Sequence, residues 1–343
     1  MDGLNRRGRE TLAVLRRAVT LAKERGVQVF AVCGDLFHNR RPEPAVIRAV
    51  QAIFEEAGMP ILLVPGNHDM LDETCAAGNT AMAPLYQVAT IANSPTLSEI
   101  GPFSVLSVPF DGKNSMGQHL AEVADYMHLA ASSAGVLLTH VGVFDDRETA
   151  PAWQRTARDG MPAGELFEAM EKAGVDLAFV GNYHDPGQWF QLGGKGRRIY
   201  QLGTLCPATH GDGGLVQRGR MGLVYEVSQG QTRVEFVEVP GPRFLTISTD
   251  ACLAGTMSGV EEGFTYYGRL VVDLEAPDLL PPGWVVIEES GEAPAEEAEG
   301  PSLEMIDTPA QALRSYVADM ALPEGARREA VLGLASRYWR EAS

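Results

Sequence analysis

The sequence has no apolar run approaching the ~18 residues that a membrane-spanning helix requires. Its first residues place Arg6, Arg7 and Arg9 ahead of an amphipathic stretch and lack the apolar core of a signal peptide. These absences predict a cytoplasmic protein with no membrane partner. Positive charge is also scarce: 28 Lys and Arg stand against 45 Asp and Glu, for a formal net charge of -17. That balance speaks against a broad basic face for nucleic acid. A nuclease survives the objection, because bound cations can supply positive charge at a phosphate. Lys195, Arg197 and Arg198 also remain as a local cluster for backbone phosphates, although the same cluster reads equally well as a solvated turn. Cys33, Cys75, Cys206 and Cys252 lack the paired spacing of a structural zinc site and read as free thiols in a reducing compartment. No internal repeat is present, and the one compositional bias is the Glu-rich stretch 288–301.

What is present is ordinary globular material, 343 residues with 45% hydrophobic, enough for one large domain and a smaller one. Leu12, Leu15, Ala18, Val19 and Ala22 fall at helical spacing, with Gly26 as a stop. A strand ending at Asp35, a helix over 44–57 and a strand at 61–64 follow, and this alternation predicts a parallel sheet with crossover helices. Further strands are expected at 103–108, 135–140 and 175–180, with helices near 117–131 and 164–173 and a long loop at 144–163. Beyond residue 185 the pattern predicts antiparallel strands at 198–202, 222–227 and 233–239, forming a second sheet packed on the first.

Four of these strands end in polar metal-ligand types: Asp35, Asn67 with His68, His140 and His184. Carboxyl ends of strands are where open α/β sheets place their chemistry. Two divalent cations, bridged by a carboxylate and flanked by imidazoles and a carbonyl, suit hydrolysis of a phosphate ester. Asp35 suits the bridge, Asn67, His140 and His184 the outer positions, and His68 the proton donor to the leaving oxygen. His38, His119, His128 and His210 read as core or surface residues.

In order, Gly34-Asp35, Gly66-Asn67-His68-Asp69, Thr139-His140 and Gly181-Asn182-Tyr183-His184 resemble the motifs of the calcineurin-like metallophosphoesterases. Gly34-Asp35-Leu36-Phe37 and Tyr200-Gln201-Leu202-Gly203-Thr204-Leu205-Cys206-Pro207 are more narrowly similar to the DNA-repair exonuclease branch, which includes SbcD-type nuclease subunits and bacteriophage relatives. The resemblance covers residues 10 to about 245. It implies an α/β fold with a four-layer αββα core and a centre of two divalent ions, usually manganese, with magnesium as the other choice. Asp35 would bridge them, Asn67 and His140 bind one, His184 bind the other, and His68 act as catalytic acid. Asn182 stands where the family usually has a histidine on the Asn67 ion, and could offer its carbonyl oxygen. The family opens on a strand ending in Asp-x-His, and no such motif precedes Asp35, so an additional amino-terminal segment is expected to carry it.

The expected organisation is a nuclease domain over 1–242, a small capping region over 243–287, an acidic linker over 288–301 and a helical segment over 302–343. The leading reading is a DNA phosphodiesterase of repair and recombination type. Its implied partners are DNA and an SMC-like coiled-coil ATPase docked on the terminal helices, with a homodimer as a further expectation. Two alternatives are a phosphatase or cyclic-nucleotide phosphodiesterase on the same fold, and a catalytically impaired DNA-binding or scaffold protein.

Overall fold

The computed structural model describes residues 4–73, 78–127, 134–191, 196–207, 219–228, 231–248, 266–271 and 284–290. All of them lie in the first, Met1–Gly291, of the two units into which the chain divides. The terminal helical segment, Lys195, Cys75 and Cys252 fall outside the described residues. No helix among the described residues is long and apolar enough to cross a membrane.

Helix α1 (Arg6–Glu24) starts where the Asn5 side chain accepts from the Gly8 amide, and it buries Leu12, Val14, Leu15, Ala18, Val19 and Ala22 on one stripe. Strand β1 (Phe30–Cys33), helix α2 (Pro44–Ala57) and strand β2 (Ile61–Val64) follow as expected, α2 ending at Gly58 in the left-handed conformation. Strand β3 (Thr90–Ile91) completes a parallel sheet in the order β1-β2-β3.

The next elements are β4 (Thr96–Ile100), β5 (Phe103–Val108), α3 (Met116–Tyr126) and β6 (Ala134–His140). Strand β7 (Gly142–Phe144) leads into the stretch expected as one long loop, which holds α4 (Ala152–Thr156) and β8 (Gly160–Pro162). Elements of three to five residues carry too little periodicity to register in a sequence. Then come α5 (Ala163–Ala173), β9 (Leu177–Gly181), β10 (Gly187–Phe190) and β11 (Arg198–Gln201). The second sheet has the order β10-β11-β9-β6-β5-β4, parallel at its centre and antiparallel at both edges. Thus 198–201, expected in a separate antiparallel sheet, pairs in parallel with β9 and belongs to the main one.

Strands β12 (Gly219–Ser228) and β13 (Gln231–Val239) form the expected antiparallel pair. Strands β14 (Arg243–Ser248), β15 (Tyr266–Val271) and β16 (Trp284–Ser290) form a small parallel sheet. Strand β16 runs three residues into the stretch assigned to the acidic linker.

The period of two along each strand explains the layering. Ile61 and Leu63 join Leu12, Leu15, Val50 and Phe54 beneath α1 and α2. Leu62 and Val64, on the opposite face, meet Val136, Leu138, Leu177 and Phe179 of the six-stranded sheet. The other face of that sheet, with Leu137, Ala178 and Val180, is covered by Met116, Leu120, Leu166 and Met170 of α3 and α5. The result is the four-layer αββα arrangement. Val224, Val234 and Phe236 of β12 and β13 pack against the same inter-sheet cluster as β1 and β2. Among the described residues β1 has only β2 as a ladder partner.

Candidate metal centre

Strands β1, β2, β6 and β9 direct their carboxyl ends to one place, and glycines permit the approach. A Cβ at Gly34 would lie 2.0 Å from His140 Nδ1, and one at Gly66 would lie 2.3 Å from Asp35 Oδ1. The residue after Gly34, Asp35, has φ 50°, and Asn182, after Gly181, has φ 96°. Standing in that region costs a non-glycine residue about 1 kcal/mol or more. The two strained positions therefore flank the same strand ends.

Here Asp35, Asn67 and His140 converge. His140 is 1% exposed, and its Nε2 lies 3.3 Å from Asp35 Oδ2 and 3.1 Å from Asn67 Oδ1. Its Nδ1 donates to the Cys33 carbonyl at 2.9 Å, which fixes the tautomer and leaves the Nε2 lone pair facing the carboxylate and the amide. The Asn67 oxygen faces both Asp35 oxygens at 3.2 Å; with the amide turned over, its nitrogen would donate to them and to His140 instead. Acceptor atoms about 3 Å apart are what neighbouring ligands of an octahedral cation with bonds of about 2.1 Å must be. The donor set of carboxylate, carbonyl and imidazole suits manganese-type or magnesium-type ions. Among the described residues no three His, Cys, Asp or Glu side chains form a ligand group; the Asn67 amide is the third donor of this one.

Electrostatics agree with the geometry. Burial would push the His140 imidazole down, but the hydrogen bond and charge of Asp35 outweigh it and raise it above its ordinary value. Burial would likewise raise Asp35, yet His140 together with the His68 amide holds the carboxyl below the usual carboxylate range. Both shifts have the same origin, the close approach of the buried imidazole and the carboxylate. Cys33, fully buried, has its thiol pushed up by burial to about 12 and contributes its carbonyl, not its sulfur.

His68 stands beside this set on the outside. Its backbone N–H donates to Asp35 Oδ1 at 3.0 Å, and its Nδ1 donates to the His38 carbonyl at 2.9 Å. The His38 ring stacks on it with centroids 5.2 Å apart and planes at 16°. His38, read from the sequence as an ordinary core or surface histidine, thus orients the candidate acid. Its place three residues after Asp35 in the same loop was the available signal. Asp69 is wholly buried and ties the two ligand loops together: Oδ2 accepts from the Gly66 amide at 2.9 Å and Oδ1 from the Phe37 amide at 3.1 Å. Burial pushes its carboxyl up to about 6.

The remaining expected residues sit differently. The Asn182 Nδ2 donates to the Asp159 carbonyl at 2.9 Å. Asn182 and His184 both line a neighbouring cavity, and the His184 carbonyl accepts from Thr204. Arg197, named for phosphate contact, is 6% exposed and donates to the Val175 carbonyl and to Gln191 Oε1, both at 3.1 Å. Arg198 donates to the Thr232 carbonyl at 3.1 Å. The apolar stems and planar heads of these two arginines are used inside the fold. Arg197→Met is expected to cost about 1–3 kcal/mol by orphaning the Val175 carbonyl, a loss that a urea titration would measure.

The pattern of the calcineurin-like phosphoesterases matches residues 8–187, more than half of the chain and all of the converging loops. No curated protein matches the chain. Solved structures with a similar course include one from Thermus thermophilus, at 18% identity over 67% of this chain and 95% of that one, with a TM-score of 0.38. A dimetal phosphatase from Danio rerio is 14% identical over 57% and 78%, with a TM-score of 0.36. The phosphopantetheinyl hydrolase of Mycobacterium tuberculosis is 12% identical over 51% and 78%, with a TM-score of 0.33. With its four layers, its ligand types at four strand ends and the match over residues 8–187, the chain belongs to the calcineurin-like phosphoesterase family, hydrolases that generally use a dinuclear divalent metal centre.

Proposed function

We propose that the chain is a divalent-cation-dependent phosphodiesterase that cleaves DNA, in the manner of SbcD-type nuclease subunits, with manganese as its cation. The observation that carries the phosphoester reading is the convergence of acceptor atoms from Asp35, Asn67 and His140 beside His68. The DNA assignment is supported by Gly34-Asp35-Leu36-Phe37 and Gln201-Leu202-Gly203-Thr204 in the sequence. A cation held by Asp35, Asn67 and His140 supplies Lewis-acid charge where an ester phosphate binds. The chain's own groups do the rest. The Cys33 carbonyl keeps His140 in the ligating tautomer, and Asp69 holds the two loops in register. His68, with Nδ1 occupied by the His38 carbonyl, presents Nε2 as the nitrogen that hands a proton to the leaving oxygen.

A second reading, a phosphatase or cyclic-nucleotide phosphodiesterase, is favoured by one observation: Arg197 and Arg198 are engaged in internal bonds, which removes two of the three cations assigned to a DNA backbone. Linear duplex DNA, single-stranded DNA, a cyclic nucleotide and a phosphomonoester, compared with manganese present, separate the two. DNA is expected to be cleaved fastest; a preference for either small ester would establish the second reading in its place.

A further inference from the structure

The loop 181–185 that carries Asn182 and His184 also walls a cavity of about 530 Å³ whose other groups the phosphate chemistry does not use. Trp153, Tyr183 and Trp189 line it, together with Asp145 and Asp185, and its described lining contains no Lys or Arg. Trp153 on α4 is 60% exposed and meets Tyr183 edge-on, with centroids 5.4 Å apart and planes at 62°. An indole this exposed, on the lining of a cavity, offers apolar ring surface to whatever enters it.

The ring beneath it is fixed in place. Tyr183 lies so close over β7 and β8 that a Cβ at Gly142 would fall 2.3 Å from its ring and one at Gly160 would fall 2.5 Å from its phenolic oxygen. That oxygen is buried without a hydrogen-bond partner. Elsewhere on the lining the Trp189 Nε1 donates to Asp145 Oδ1 at 2.6 Å, which orients both groups.

These features describe a site for something flat, uncharged and able to donate hydrogen bonds. The volume is in the range of small-molecule pockets. A lining of carboxylates and rings places any phosphate elsewhere, on the cation side of Asn182 and His184. Carboxylates accept readily from exocyclic amino groups, and exposed aromatic faces stack on bases taken out of a duplex or already single-stranded. Aromatic rings beside carboxylates would also suit a quaternary ammonium group. A cage for such a cation needs several rings facing one point, whereas along this lining the described ring contact is the single pair Trp153 and Tyr183, set at 62°.

Resting on the reading that the cation centre cleaves nucleotidyl esters, we propose that this cavity takes the nucleobase adjoining the bound phosphate. Trp153 is the stacking platform, and Asp145 and Asp185 accept from exocyclic amino groups, so that adenine, cytosine and guanine are preferred over thymine.

Titration calorimetry on the full chain tests this with dAMP, dCMP, dTMP, deoxyribose 5-phosphate and phosphocholine. The expected result is binding of dAMP and dCMP roughly 10-fold tighter than of deoxyribose 5-phosphate, the scale of a stacking contact, and also tighter than of dTMP, which stacks but lacks the exocyclic amino group. Trp153→Ala should remove roughly 10-fold or more of the dAMP affinity and leave deoxyribose 5-phosphate unchanged, and Trp153→Phe, which keeps a flat ring, should restore most of it. Equal binding of dAMP and deoxyribose 5-phosphate, or a Trp153→Ala variant that binds dAMP normally, overturns the base site. Tighter binding of phosphocholine than of dAMP also overturns it, in favour of a cationic ligand. Cleavage of DNA by the same preparation is read separately. If the nucleotides bind through Trp153 but no ester is hydrolysed, the phosphodiesterase reading fails while the base site stands; if DNA is cleaved with no base preference in binding, the reverse holds.

Discussion

His68→Ala is expected to lower manganese-dependent ester hydrolysis by roughly 100-fold or more, the usual contribution of a positioned general acid. Cation binding should change little, because the acceptor atoms belong to Asp35, Asn67 and His140, and His68 meets Asp35 through its backbone N–H, which alanine keeps. The distinction is measurable in one preparation: steady-state hydrolysis of the best substrate, and manganese content by elemental analysis after loading. A large fall in rate with the metal content preserved supports the assigned role. An undiminished rate would place the proton donor elsewhere or expose a contaminating nuclease. A useful refinement is the leaving group. An ester whose leaving oxygen is already a good anion needs no proton, so the deficit of the variant should shrink with such an ester and be greatest with DNA.

Asp69→Ala carries the largest expected cost to stability, about 2–4 kcal/mol, since it leaves the buried Gly66 and Phe37 amides without an acceptor. In a domain of this size that corresponds to a fall in Tm of roughly 3–7 °C, which differential scanning calorimetry would read directly. The loss should not be confined to stability. Phe37 lies two residues beyond Asp35, and Gly66 immediately precedes Asn67, so the carboxylate sets the spacing between a carboxylate ligand and an amide ligand that come from different strands. The variant is accordingly expected to bind manganese more weakly even at temperatures where it is fully folded. A variant that melts early yet binds the ion with unchanged affinity would reduce Asp69 to a packing residue.

The layered core could be read from the sequence because its strands are short buried runs at regular intervals. Ile61-Leu62-Leu63-Val64 and Val175 through Val180 announce themselves, and the residue types that follow them are unusual enough together to mark a site. What could not be read were features fixed by pairing at a distance. The placement of 198–201 in the main sheet depends on its parallel register with β9, and nothing local in Arg198-Ile199-Tyr200-Gln201 encodes that partner. Arg197 looked like a surface cation because side-chain burial is decided by what packs over it, here Gln191 and the Val175 carbonyl. Asp69 stood in the sequence only as the end of a motif and proved to be a tie between two backbones, a role that depends wholly on where loop 34–38 passes. His38 stands three residues after Asp35, but what holds His68 is its backbone carbonyl, which any residue type would supply. The short elements between 142 and 162 were invisible through brevity, and two of them, β7 and α4, line the cavity beside Asn182 and His184.

The left-handed torsions at Asp35 and Asn182 bear on what a substitution at either position would do. Glycine adopts such angles without strain, but here it would forfeit the Asp35 oxygen that accepts from the His68 amide and the Asn182 amide that donates to the Asp159 carbonyl. The backbone's preference and the side chain's bond therefore pull in opposite directions at both positions. Each turn is thus coupled to a bond that reaches another loop, so a substitution at 35 or 182 would loosen two backbones at once.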